Sequence, residues 1–186
     1  MGFRALSETK RKIFISFHQK DRIHVDQLVK DYGHLFTPKV LGANDNDDFI
    51  NSTNTDYIMG QIRKRYLEDS SITIVMMGEC THSRRYVDWE VKSSLVRGDG
   101  LPNGLIGLVV PNTKVSMQLP NRFVDNWKFG HENCYGRYHW YPQSSAEFSG
   151  WINDAIEART KRAHLIDNSR DLMKYSSKCS VHQVTH

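Results

Sequence analysis

No stretch of this sequence approaches the roughly 20 consecutive apolar residues that a membrane-spanning helix requires. The longest largely apolar runs, at residues 13–15, 72–77 and 105–110, have the length of buried strands. The first residues carry no continuous apolar segment, so no secretory leader is expected. Met1-Gly2 opens like a myristoylation signal, but Leu6 stands where that signal has Ser or Thr. Cysteine is scarce: Cys80, Cys134 and Cys179 are odd in number and widely scattered. They outline no disulfide framework and point to a reducing, cytoplasmic setting. Neither a Walker A pattern nor Gly-x-Gly-x-x-Gly occurs, which excludes the common nucleotide cradles. No Lys/Arg block is interleaved with aromatics in the manner of single-strand binders, and the net charge is a mild +4. Neither nucleic acid nor a membrane is an expected partner, although such a charge suits a phosphate-bearing ligand.

What is present is enough for one domain: 186 residues with 39% hydrophobic content support a single core. Residues 1–11 read as a flexible N-terminus, 12–165 as the folded domain, and 166–186 as a polar, basic and loosely held tail. Ile13, Phe14 and Ile15 are continuous and apolar, as in a strand covered on both faces. A polar turn, Ser16-Phe17-His18-Gln19-Lys20-Asp21, follows it, and Asp21 is a natural cap for a helix over residues 22–32. That helix should turn Ile23, Val25, Leu28 and Val29 inward. His18 has two readings, a hydrogen-bonded turn residue or a group facing a ligand beside the strand end.

A weak strand fits residues 39–41, past Pro38. Residues 44–55 form a polar connection in which Asp45, Asp47 and Asp48 resemble a calcium loop, but the loop's Gly and final Glu are missing, so a loop at the rim of a site is expected. A helix with Tyr57, Ile58, Ile62 and Tyr66 at helical spacing comes next, then a strand over 72–77. Residues 83–97 read as a helix capped by Ser83, with Val87, Val91 and Leu95 on one face and Glu90 at the edge of that stripe. Glu90 is either an ordinary surface carboxylate or a group placed near the carboxyl end of a strand, where open α/β sheets bind ligands.

After a buried strand over 105–110, residues 112–141 are rich in Asn, Gly and aromatics and fit an irregular stretch with a short strand near 137–140. His131, Cys134 and His139 are of the residue types that ligate zinc, but a fourth ligand and paired Cys-x-x-Cys spacing are missing, so no metal is expected. The last long helix starts at Ser144 or Ser145 and carries Phe148, Trp151, Ile152, Ala155 and Ile156 as its core stripe. Alternating strands and helices imply a mostly parallel sheet covered on both faces.

Two segments carry a family resemblance. The first strand followed by Ser16-Phe17-His18-Gln19-Lys20-Asp21 is similar to the first box of TIR domains, and Ser83, Tyr86, Val87 and Glu90 are similar to the TIR segment Ser-x-Trp-Cys-x-x-Glu. Phe17-His18 and Arg84-Arg85 bring the chain closest to the bacterial TIR-like group that includes the ThsB proteins of Thoeris anti-phage defence. The resemblance implies a flavodoxin-like three-layer fold around a parallel sheet of about five strands. It further implies cleavage of NAD at the nicotinamide–ribose bond, a hydrolase or cyclase activity yielding a cyclic ADP-ribose-type signal for an effector partner. NAD enters as substrate, and no cofactor is expected. Glu90 matches the family's catalytic glutamate, and Ser16, Phe17, His18, Asp21 and Tyr86 would contact substrate. Tyr86 and Val87 replace the usual Trp and Cys, and the Arg-Asp-x-x-Pro-Gly loop of receptor TIR domains is absent. Self-association remains a further expectation. The alternative function is a non-catalytic TIR-like interaction module in signal transduction. A phospho-receiver shares the fold but has no counterpart here for its phosphorylatable Asp, since Gly78-Glu79 follow the third strand.

Overall fold

A computed structural model of the chain describes residues 10–40, 54–62, 64, 67–96, 100–113 and 118–185. The 45–48 acidic cluster, Tyr66 and most of the 44–55 connection lie outside these residues.

Five parallel strands form one sheet in the order β2-β1-β3-β4-β5. They are β1 (Arg11–Ser16), β2 (Phe36–Val40), β3 (Ile72–Met77), β4 (Gly104–Val109) and β5 (Arg137–His139). The helices are α1 (Arg22–Tyr32), α2 (Thr55–Ile62), α3 (Arg85–Ser94), α4 (Asn121–Asn126) and α5 (Ser145–Lys161). This is the expected α/β architecture with helices on both faces. The two-residue side-chain period of a strand sorts the core into layers. Ile13, Ile15, Ile74, Met76, Ile106 and Leu108 meet Val25 and Leu28 of α1 and Phe148, Ile152 and Ala155 of α5. On the other face, Val75, Met77 and Leu105 meet Val87 and Val91 of α3 and Phe123 of α4, while Phe14 meets Ile58, Ile62 and Trp89. A Cβ on Gly104 would overlap the Ala155 carbonyl oxygen, so this glycine lets α5 lie close on β4.

Several expectations are corrected. Ile23 is 72% exposed, because Val25 and Leu28 already fill the α1 stripe. The weak strand begins earlier, at Phe36, and includes Pro38 on an edge strand, where the missing N–H costs little. Ser83 does not cap α3: its hydroxyl donates to the Cys80 carbonyl (2.8 Å) within a short 3₁₀ turn, Thr81–Ser83, and Arg84 takes the cap position. The irregular stretch contains a short helix, α4, that the Asn-rich composition concealed.

The largest correction concerns residues 166–185, which are not a loose tail. They run back along α3 from its C-terminal end to beyond its N-terminal end. Asn168 Nδ2 donates to the Lys92 carbonyl (3.0 Å), Trp89 Nε1 to the Met173 carbonyl (2.9 Å), and Ser177 N to the Ser83 carbonyl (2.9 Å). A disulfide then joins Cys179 to Cys80, contrary to the expectation of unpaired cysteines, while Cys134 is a free, buried thiol. The anchor beneath this strap is a buried ion pair, Arg122 Nε to Asp88 Oδ1 at 2.8 Å. Asp88 Oδ2 also accepts from Met173 N (2.9 Å), and Arg122 reaches the Asp171 carbonyl and Asn168 Oδ1 (both 3.0 Å). Both charges are thus paired and further hydrogen-bonded, the condition under which a buried pair is tolerated.

Candidate functional site

The neighbours of β1 belong to different directions of chain progression: β2 follows it on one side and β3 lies on the other. This is a switch point, where the loops leaving the carboxyl ends of adjacent strands diverge and leave a crevice. A cleft of about 310 Å³ lies there. Its walls come from the loop after β1 (His18, Lys20, Asp21), the turn after β3 (Glu79, Cys80), the segment after β4 (Val110 to Thr113), His24 of α1, and His182 of the strap.

His18 is a hydrogen-bonded turn residue that also borders the cleft. Its Nδ1 accepts from Lys20 N (2.9 Å), capping the 3₁₀ turn Gln19–Asp21. Asp21 holds the cap position of α1 but makes no capping hydrogen bond. Its carboxyl lies instead against Thr81, whose hydroxyl donates to Oδ2 at 3.4 Å, and a Cβ on Gly78 would overlap that carboxyl. Burial pushes the Asp21 pKa up to about 6, opposed by the Thr81 hydrogen bond.

Glu90 is enclosed, at 4% exposure, on the side of α3 that faces the end of β1. The Ser16 hydroxyl donates to Glu90 Oε2 at 2.5 Å. Desolvation raises the Glu90 pKa to about 8, and the Ser16 hydrogen bond offsets only part of that rise. Enclosure thus favours the neutral acid over the carboxylate.

The other sequence-selected residues are placed differently. Phe17 is half-buried against the core formed with α1 and α5. Tyr86 packs edge-on against Trp89 (5.4 Å between ring centroids), with the Arg85 guanidinium 5.1 Å from its ring centre. Neither lines the cleft, and neither do Ser16 or Glu90. Sequence reasoning missed Lys20, His24, Glu79 and His182. Glu79 lies two residues past the end of the third strand, a position that strand-end logic could have flagged, whereas His182 carries no local signal.

Among the described residues, no group of three or more His, Cys, Asp and Glu side chains is placed to hold a metal ion. The three residues weighed for zinc are otherwise engaged or apart. Cys134 Sγ accepts from Lys128 N (3.3 Å) and donates to the His131 carbonyl (3.3 Å), while His139 stacks on Trp151 with ring centroids 3.9 Å apart. No helix among the described residues is long and apolar enough to cross a membrane.

The model of one family, the TIR-like domain of the Thoeris protein ThsB, matches residues 14–115, which is more than half of the chain. The matched span runs from the second half of β1 through β4 and includes both sequence boxes and Glu90. It stops before β5, α5 and the strap. No curated protein matches the chain.

Proposed function

As the chain belongs to the Thoeris ThsB TIR-like domain family, we propose that this signalling protein cleaves NAD at its nicotinamide–ribose bond and releases a cyclic ADP-ribose-type product in anti-phage defence. The observation that carries the proposal is the buried Glu90 carboxyl held by Ser16, with its pKa displaced to about 8. A strongly displaced carboxyl at the binding edge of an α/β sheet marks a candidate reaction centre. The elements that place it are also those that carry the family boxes.

The chemistry needs one such group. The N-ribosyl bond breaks with its electron pair going to the pyridinium nitrogen, so neutral nicotinamide leaves without an acid. Positive charge builds at the ribose carbon, as in the oxocarbenium-like state of glycoside hydrolysis. A carboxylate beside that carbon stabilises the charge, most strongly where water is excluded. Addition of a nucleophilic atom of the ADP-ribose moiety then closes a ring, and addition of water gives ADP-ribose. The cationic nicotinamide ribose favours the ionised form of Glu90, so binding would itself drive loss of the Glu90 proton. His18 and Asp21 would contact the substrate from the cleft. Phe17 supports the loop from the core side, and Tyr86 supports α3 from beyond Trp89. Ser16 orients the carboxylate. The product would act on an effector protein in the cytoplasm.

Glu90 is enclosed and does not line the cleft, so turnover requires the site to open. The same enclosure supports a second reading, a non-catalytic interaction module in which Glu90 is a structural acid. Purified protein incubated with NAD, with nicotinamide release followed by mass analysis, separates the two. Release that is lost in Glu90→Gln supports the enzyme, and no release under any condition supports the module.

A further inference from the structure

The strap touches both parts of the candidate site. Along α3, its contacts run in reverse order: Asn168 with Lys92, Met173 with Trp89 and Asp88, Ser177 with Ser83. It therefore braces the helix that carries Glu90. Past Ser177 it folds into a tight turn, in which Cys179 N donates to the Val184 carbonyl (2.7 Å) and Gln183 N to the Cys179 carbonyl (2.8 Å). That turn delivers His182 into the cleft, where its Nε2 lies 2.6 Å from Glu79 Oε2. The Cys80–Cys179 disulfide fixes the turn to the cleft wall, and Cys80 itself lines the cleft. Ser180 N donates to His82 Nε2 (3.2 Å) beside it. With His182 in place, the cleft is about 310 Å³, at the small end of the range for ligand sites and tight for a dinucleotide.

We propose that residues 178–185 are an autoinhibitory strap over the nucleotide cleft, latched by the Cys80–Cys179 disulfide and released when a dithiol reductant opens that bond. This rests on the NAD reading for the identity of the ligand, but not for the latch itself. One thiolate of the dithiol attacks Cys80 Sγ from the cleft and breaks the Sγ–Sγ bond. Cys179 leaves as a thiolate and takes up a proton. The second thiolate of the reductant then displaces Cys80 from the mixed disulfide. The products are two protein thiols and the oxidised, cyclic disulfide of the reductant. Without the covalent tie, the turn is held to the cleft wall by the Glu79–His182 pair, which is partly exposed, and by two contacts to the backbone and side chain at 79–82. Exposed pairs hold a segment weakly. The strap upstream stays anchored through Asp88 and Arg122, so the turn swings out while α3 remains covered.

The test uses the full chain in its oxidised and dithiothreitol-reduced forms, beside Cys179→Ser and His182→Ala. Hydrogen exchange at residues 178–185 and 18–21, thiol counts and NAD cleavage are recorded together. A melting curve confirms that each sample is folded. The expected result is three titratable thiols, faster exchange over 178–185, and a rise of about tenfold or more in kcat/KM on reduction, as when a competent fraction grows from below a tenth towards unity. Cys179→Ser should behave like the reduced protein without reductant, and oxidised His182→Ala should gain part of the rise. Unchanged protection over 178–185 in folded, reduced protein and in Cys179→Ser would overturn the latch. So would released protection with equal turnover in both states. Released protection over both segments with no turnover in either state supports the latch and overturns the NAD reading instead.

Discussion

Ser16 and Glu90 stand 74 positions apart in the chain, and the serine hydroxyl donates a 2.5 Å hydrogen bond to the glutamate's Oε2. The contact spans the layers, from the end of β1 to the middle of α3, and joins the two sequence boxes that carry the family resemblance. It defines what each partner should do when altered.

Loss of the hydroxyl should weaken the ionised form of Glu90 specifically. Ser16 opposes the desolvation that raises the Glu90 pKa, so Ser16→Ala should move the acid limb of the kcat/KM profile to higher pH and lower the rate at neutral pH. The limit reached at high pH should change less. A uniform fall at all pH values, with the limb in place, would assign Ser16 to substrate contact.

The wild-type protein should itself show that limb. If Glu90 acts as a carboxylate, kcat/KM should rise about tenfold per pH unit and level off above about 8, the value to which burial displaces the group. The profile for kcat should be shifted to lower pH, because the bound cation favours ionisation. Stability runs the opposite way. The folded-state pKa lies above the unfolded one, so the stability that neutral Glu90 contributes is complete below the ordinary carboxylate range and is lost as pH rises through about 8. Glu90→Gln, a neutral isostere, should gain thermal stability relative to wild type as pH rises from about 5 to about 8, with no further gain above that. Parallel melting curves across that window would show that Glu90 is not displaced.

His18→Ala should raise KM more than it lowers kcat, since His18 faces the cleft rather than Glu90. Steady-state kinetics on the variant decide it. An unchanged KM would leave His18 as the cap of the Gln19–Asp21 turn and nothing more.

The parts of this fold that were legible in the sequence are those set by apolar period. α1 and β3 lie where their patterns place them because Leu28 and Ile74 have no other way to leave water. The burial of Glu90 beside Ser16 was half legible: spacing put it at the edge of the α3 stripe, but only the crossing of α3 over β1 shows that this edge is enclosed. The strap was not legible. Its contacts pair side chains with main-chain atoms, as in Trp89 with the Met173 carbonyl, and such pairing leaves no hydrophobic period. The disulfide joins residues 99 positions apart, with Cα atoms 5.2 Å from each other, and nothing local to Cys80 or Cys179 announces it.

Arg122 tests the anchor of that strap. Its side chain is fully buried, and Arg122→Met leaves Asp88 as an uncompensated buried charge. The loss should be about 3–5 kcal/mol in chemical denaturation, with hydrogen exchange rising first over residues 168–173. A loss within about 1 kcal/mol, the scale of an exposed pair, would mean that the strap is held elsewhere.

The most direct test of the proposed activity is the fate of NAD in the presence of wild-type and Glu90→Gln protein, each in oxidised and reduced form, with products resolved by mass. The expected result is nicotinamide together with a cyclic isomer of ADP-ribose from the wild type. The variant should be slower by roughly 10²-fold or more, the scale of losing one transition-state stabiliser, and no less stable than wild type at neutral pH. Equal nicotinamide release by wild type and Glu90→Gln, or intact NAD with the wild type in both redox forms, would contradict it.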